Sequence, residues 1–106
     1  ENFHAKGIYH DDEMIGFTLY GIHEEDHEYW IYRMMIDQNH QEKGYGKQAI
    51  QLVIDDIRKI KEDHHQTITL SYEPSNEHTK RIYEKMGFVE IEGLILHGEQ
   101  VARFRF

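Results

Sequence analysis

A chain of 106 residues suffices for one small domain with a real core and not for two. It has no cysteine, which excludes a disulfide framework or a thiolate metal site and fits a cytoplasmic protein. Its 12 basic against 20 acidic residues leave a net charge of −8. That balance argues against duplex nucleic acid as a partner, and it suits either a cationic small substrate or plain solubility.

No repeat, low-complexity tract or linker divides the sequence, and it holds one proline, so residues 1–106 read as a single domain. No apolar run approaches the ~18 residues of a membrane helix. Phe3 to Tyr9 is a short strand, His10 to Glu13 a polar turn, and Met14 to Ile22 a second strand rich in aromatic and β-branched residues. These two pair as a hairpin. After an acidic loop from His23 to Glu28 comes a third strand, Tyr29 to Ile36. It is nearly all apolar, which predicts a central strand covered on both faces, with Met34, Met35 and Ile36 in the core.

A helix from about Gly44 to Lys61 follows. Ile50, Val53, Ile54, Ile57 and Ile60 form one apolar stripe, and Arg58, Lys59 and Lys61 crowd the end where cations suit the helix dipole. Thr67 to Tyr72 is the next strand, and strand–helix–strand implies a right-handed crossover with 29–36 parallel to 67–72. Pro74-Ser75-Asn76 opens a second helix, with Ser75 or Asn76 as its cap; Thr79, Ile82, Tyr83 and Met86 share a face, and Gly87 ends it. Phe88 to Ile91 and Gln100 to Phe106 are strands, with turns at Gly93 and His97-Gly98. The sum is an α/β fold: a mixed sheet with an antiparallel N-terminal part, one βαβ crossover and an antiparallel C-terminal pair.

Between the third strand and the first helix lies Gln41-Glu42-Lys43-Gly44-Tyr45-Gly46-Lys47. Glycines at a helix mouth let backbone approach a ligand, and the first helical N–H groups lack internal partners, so such a place binds phosphate. The spacing is neither a Walker loop nor G-x-G-x-x-G. It is Q-x-x-G-x-G, which resembles the acetyl-CoA pyrophosphate loop of the GNAT N-acetyltransferase superfamily. Asn76 followed by Arg81-Ile82-Tyr83-Glu84-Lys85-Met86-Gly87-Phe88 is similar to that superfamily's N-x-x-x-x-x-x-Y-E-K-x-G-F ending. Gly16-Phe17-Thr18-Leu19-Tyr20-Gly21, Arg33-Met34-Met35-Ile36-Asp37 and His97-Gly98-Glu99-Gln100-Val101 are further similar to bacterial spermine/spermidine N-acetyltransferases. The resemblance implies acetyl-CoA as co-substrate, no metal, and direct transfer of acetyl to a primary amine, a polyamine such as spermidine or spermine. Other amines (an aminoglycoside, an amino-acid derivative, a protein N-terminus) or a silent acyl-CoA-binding module are the alternatives. It also implies a strand and two helices ahead of Phe3, relative to which this chain is N-terminally truncated, and self-association is the expected way to cover the apolar surface so exposed.

The resemblance assigns roles to individual residues. Gln41 to Lys47 would hold the pyrophosphate. The backbone of Met34, Met35 and Ile36 would meet the pantetheine arm and thioester where the strand splays from its neighbour. Asn76 would bond the arm, and Tyr83 would protonate the departing thiolate. By pattern alone Asn76 is equally a helix cap, and Tyr83 reads first as a core tyrosine. Glu28 is the candidate for assisting amine deprotonation. Glu24, Glu25, Asp26 and Glu28, with Asp11, Asp12 and Glu13, read either as solvated turns or as a cation-attracting rim beside the central strand. His23-Glu24-Glu25-Asp26-His27 matches H-E-x-x-H, which needs a helix to bind zinc, whereas here it joins two strands.

Overall fold

The computed structural model describes residues 3–37, 40 and 44–106. Its elements are β1 (Phe3–His10), β2 (Glu13–Ile22), β3 (Tyr29–Ile36), α1 (Tyr45–Ile60), β4 (Thr67–Tyr72), α2 (Glu77–Lys85), β5 (Val89–Leu96) and β6 (Glu99–Arg105). They form one sheet in the order β1-β2-β3-β4-β6-β5, with β3 and β4 parallel and the other neighbours antiparallel. Asp11 and Asp12 both have positive φ, as do His97 and Gly98, and each pair is a two-residue hairpin loop whose twist suits the flanking strands.

β5 is antiparallel to β6, as β4 is, so β5 runs parallel to β4. Both crossovers therefore move across the sheet in the same direction. Right-handed connections then place both helices on one face. The core lies there: Ile50, Val53, Ile54 and Ile57 of α1 and Tyr83 of α2 pack on Tyr20, Tyr29, Ile31, Ile68, Leu70, Tyr72 and Ala102. Each fully buried isoleucine contributes about 1.5–3 kcal/mol. Asp56 ties α1 to the N-terminal hairpin, accepting from the Tyr20 hydroxyl and, at 3.2 Å, from Lys6 Nζ. The Tyr20 bond, ahead of the Lys6 contact, holds Asp56 below the ordinary carboxylate range.

The other face corrects a sequence expectation. No described helix covers it, so β3 is not covered on both sides. Tyr32 and Met35 are exposed, and Trp30 and His23 stack at 4.5 Å on that surface. Met34 is half-buried against the core, but Met35 is 56% exposed, so only part of the Met34–Ile36 group is core. β5 is also longer than expected: Gly93, at φ 80, falls at a register irregularity between Glu90 and Ile95 and does not end the strand. Asn76 rather than Ser75 caps α2, accepting from Thr79 N at 3.1 Å, and Gly87 at φ 105 takes the left-handed position after the helix.

The feature that positions the site is in β3. Between Leu19 and Tyr20 of β2 the partner on β3 steps from Arg33 to Ile31, leaving Tyr32 as an extra residue. The Thr18 hydroxyl donates to the Arg33 carbonyl at 2.9 Å at this bulge. A bulged strand bends. On its other edge β3 pairs with β4 only through Tyr29–Ile68 and Trp30–Thr69, and beyond that point the two strands diverge.

Gly16 is where β2 passes closest to the end of β3: an added Cβ would lie 2.3 Å from the Met35 carbonyl oxygen. Gly16→Ala is expected to destabilise the fold by about 1–3 kcal/mol through overpacking against backbone. Urea denaturation checks this, and an unchanged midpoint would show that β3 yields there at no cost.

Candidate active site

The divergence of β3 and β4 opens a cleft at the C-terminal ends of two parallel strands. There the chain leaves β3 for α1 and β4 for α2. Gly44 caps α1 at φ 82, a left-handed conformation that favours glycine, and among the described residues no side-chain cap bond is made at this end. The first turn carries no acidic residue and includes Lys47. The helix's first N–H groups, with the positive end of the dipole, are the kind of donors an anion takes. An added Cβ at Gly44 would meet nothing within 4 Å, whereas one at Gly46 would touch Ile82 of α2 at 3.8 Å. The two glycines thus differ: Gly44 supplies backbone conformation beside open space, and Gly46 lies against the neighbouring helix. Gln41, Glu42 and Lys43, the first part of the predicted loop, lie outside the described residues.

The ring of Tyr45 lies 4.9 Å from that of His10. His40 lies between two carboxylates, Nε2 3.7 Å from Glu13 and Nδ1 3.4 Å from Asp37. The β1–β2 turn therefore steadies the start of α1, a support the sequence pattern did not signal.

Tyr83 lies on the face of α2 turned to the sheet, 8% exposed, its ring 5.6 Å from Tyr72 and 5.8 Å from Phe88. It is a core tyrosine by packing. Its hydroxyl makes no hydrogen bond among the described residues, unlike the hydroxyl of Tyr72, which donates to Glu90 at 2.5 Å. Burial, and then the charge of Glu99, push the Tyr83 phenol up to about 12. It therefore holds its proton across the physiological range and can give it only to a strong base or a developing anion. Asn76 spends its side-chain oxygen on the α2 cap.

Glu99 is a residue that sequence reasoning passed over as part of a turn. It stands at the start of β6, and its Oε1 accepts from the Ser71 hydroxyl at 2.7 Å. Ser71 itself lies on β4 past the last pairing with β3. The only sequence signal was the His97-to-Val101 string, whose carboxylate has no periodicity to mark it.

Glu28 is elsewhere. It precedes β3, at the paired end of the β3–β4 ladder and before the point where the cleft opens. Its Oε1 accepts from Gln66 N at 2.8 Å, Thr67 N at 3.0 Å and Thr67 Oγ1 at 3.2 Å. This carboxylate caps the start of β4. The rest of its acidic loop is self-engaged: Asp26 accepts from Glu28 N and from Trp30 Nε1, and His23 Nδ1 accepts from Glu25 N. The two acidic loops thus lie at opposite ends of β2 and do not form one rim, which corrects the sequence expectation. Only Asp11-Asp12-Glu13 flanks the cleft end.

Comparison with known proteins gives the family. Residues 1–88 match the model of the acetyltransferase (GNAT) family. The chain belongs to that family. A spermine/spermidine N(1)-acetyltransferase of Bacillus subtilis strain 168 is 31% identical over 101 residues, as is a probable spermine N(1)-acetyltransferase of the natto subspecies. These alignments span 90% of this chain and 65% of either relative, so the chain covers just under two thirds of the length of the curated relatives it matches. Among solved structures, the PaiA N-acetyltransferase of Thermoplasma acidophilum in complex with coenzyme A superimposes with a TM-score of 0.81 at 16% identity, covering 99% of this chain and 62% of that one. A GNAT acetyltransferase of Elizabethkingia anophelis with acetyl-CoA bound gives 0.80 at 14% identity, covering 99% and 77%.

If Glu28 is a capping carboxylate, Glu28→Ala strips an acceptor from two backbone N–H groups and should cost about 1–3 kcal/mol of stability. Thermal melting measures this. An unchanged melting temperature with altered amine kinetics would reverse the assignment.

Proposed function

We propose that the chain carries the acetyl-CoA-binding half of an N-acetyltransferase whose acceptor is a primary amine, a polyamine such as spermidine or spermine. The observation that carries the reading is the cleft between β3 and β4, with the α1 N-terminus, free of acidic residues in its first turn, at its mouth and the protonated Tyr83 phenol beside it. The polyamine rests on the two curated relatives and on the net charge of −8, which draws a polycation through a field that salt screens.

Acetyl-CoA supplies the activated acetyl group as a thioester. The residues present fit such a molecule. The N–H groups of Tyr45, Gly46 and Lys47 and the Lys47 ammonium hold its pyrophosphate. The edge of β3 that faces the cleft, from Ile31 to Met35, offers backbone donors and acceptors to the amides of an extended arm, as a missing strand would. One such N–H polarises the thioester carbonyl. Asn76 keeps its amide N–H groups for the same arm, because its cap uses only the oxygen. Tyr83 gives its proton to the sulfur that leaves. An attacking amine needs a lone pair, which an alkylammonium lacks, so one proton must leave nitrogen before the N–C bond forms. Held side by side, the reactants need no covalent enzyme intermediate. The exposed Phe3, Tyr32 and Met35 support self-association.

The experiment is acetyl transfer from acetyl-CoA to a panel of amines, with Tyr83→Phe beside the wild type. Tyr83→Phe is expected to lower turnover about 10²- to 10⁴-fold while CoA binding survives. Near-normal turnover would return Tyr83 to a packing role. Good use of aminoglycosides or peptides with poor use of spermidine would replace the polyamine by another acceptor.

A further inference from the structure

Side chains alternate between the faces of β4. Ile68, Leu70 and Tyr72 join the core under the helices, and Tyr72 meets Tyr83 there. Ser71 therefore points to the helix-free face. Its cross-strand partner on β6 is Val101, and Glu99, two residues earlier on β6, shares that face and accepts the Ser71 hydroxyl at 2.7 Å. Both lie where β4 has parted from β3. The cleft thus has a phenol on its helix side and a hydroxyl–carboxylate pair on the other. Tyr83 packs on Tyr72, the residue after Ser71 on β4, and the charge of Glu99 helps to keep its phenol protonated.

We propose that the Ser71–Glu99 pair takes the proton that the acceptor ammonium must lose, and that the amine enters from the helix-free face. The inference rests on the acetyltransferase reading above and gives the proton-accepting role to a pair other than Glu28, whose Oε1 is taken up in capping β4. The steps balance. The ammonium gives one proton to the Ser71 oxygen as the Ser71 proton passes to Glu99, which is half-buried and returns it to solvent. The neutral amine forms the N–C bond, the C–S bond breaks, and the sulfur takes the Tyr83 proton. The second nitrogen proton leaves to solvent, from which Tyr83 is reprotonated. Acid and base stand on opposite sides of the reacting carbon, so neither quenches the other.

The test uses Glu99→Gln and Ser71→Ala in the same chain, with two acceptors: spermidine, charged at pH 7, and a fluorinated alkylamine that is neutral at pH 7. Glu99→Gln should lower kcat/KM for spermidine about 10²-fold. The neutral amine should lose far less, and raising the pH should recover the rate with spermidine. Ser71→Ala should fall in the same direction and decides the matter if Glu99→Gln fails to fold. Independently of turnover, a ring-carbon NMR titration should show Tyr83 ionising at lower pH in Glu99→Gln, because a negative charge has gone. Equal losses with both amines, or none, would overturn the proposal and leave the acetyltransferase reading standing. A wild-type chain that acetylates neither amine would overturn both, even with the Tyr83 titration shifted as expected.

Discussion

Two residue pairs join β3 to β4, and then the strands part. Backbone groups along a strand edge must find partners, and a cleft edge inside a sheet keeps them from being satisfied by a neighbour strand. What makes the opening tolerable is that the rest of β4 is firmly held. Five of its six residues are buried, and β6 pairs along all of it. The bulge at Tyr32 bends β3 away while β2 keeps it in register on its other edge. The cleft is therefore built into a well-packed sheet, and a ligand with amides of its own is the natural occupant of the unpaired edge.

The same strands decide which chemistry lies on which face. Two right-handed crossovers in one direction put α1 and α2 together, so the anion site and Tyr83 are both on the helix side of the sheet. The opposite face keeps aromatic and thioether surface, with Trp30, Tyr32 and Met35 in view of solvent. A domain of net charge −8 would repel a pyrophosphate at most places on its surface. The start of α1 is where the proposed pyrophosphate contact meets least opposition, since its first turn has no carboxylate and presents the positive end of the helix dipole.

Much of this was legible in the residues, and what was not has definite causes. The stripe of isoleucines in α1, the Asn76 cap and the Gly87 terminator each follow from local rules, and the structure places them within a residue or so. Tyr83 could be assigned to the sheet-facing side of α2 by spacing, but only the structure shows that its hydroxyl is left without a described partner. The apolar run of β3 misled: run length reports burial on two faces only if helices lie on both, and helix placement depends on the handedness of connections. Gly93 misled for a related reason, since a glycine with positive φ ends a strand or bulges it according to what the neighbouring strand does. The acidic loops could not be located at all from composition, because a strand of ten residues separates them and its direction is a tertiary fact.

Glu28 and Glu99 differ in a way that bears on the proposed proton transfer. Both are half-buried and both accept hydrogen bonds. Glu28 holds two backbone N–H groups and a hydroxyl with one oxygen, at the paired end of the β3–β4 ladder, where losing its charge would loosen the start of a buried strand. Taking up a proton would work against that task. Glu99 accepts from a side-chain hydroxyl at the unpaired end, and a hydroxyl can donate and accept in turn. In the proposed transfer a proton passes through Ser71 to Glu99 without breaking any strand pairing. A carboxylate that must change charge in every turnover belongs where the fold does not depend on its charge.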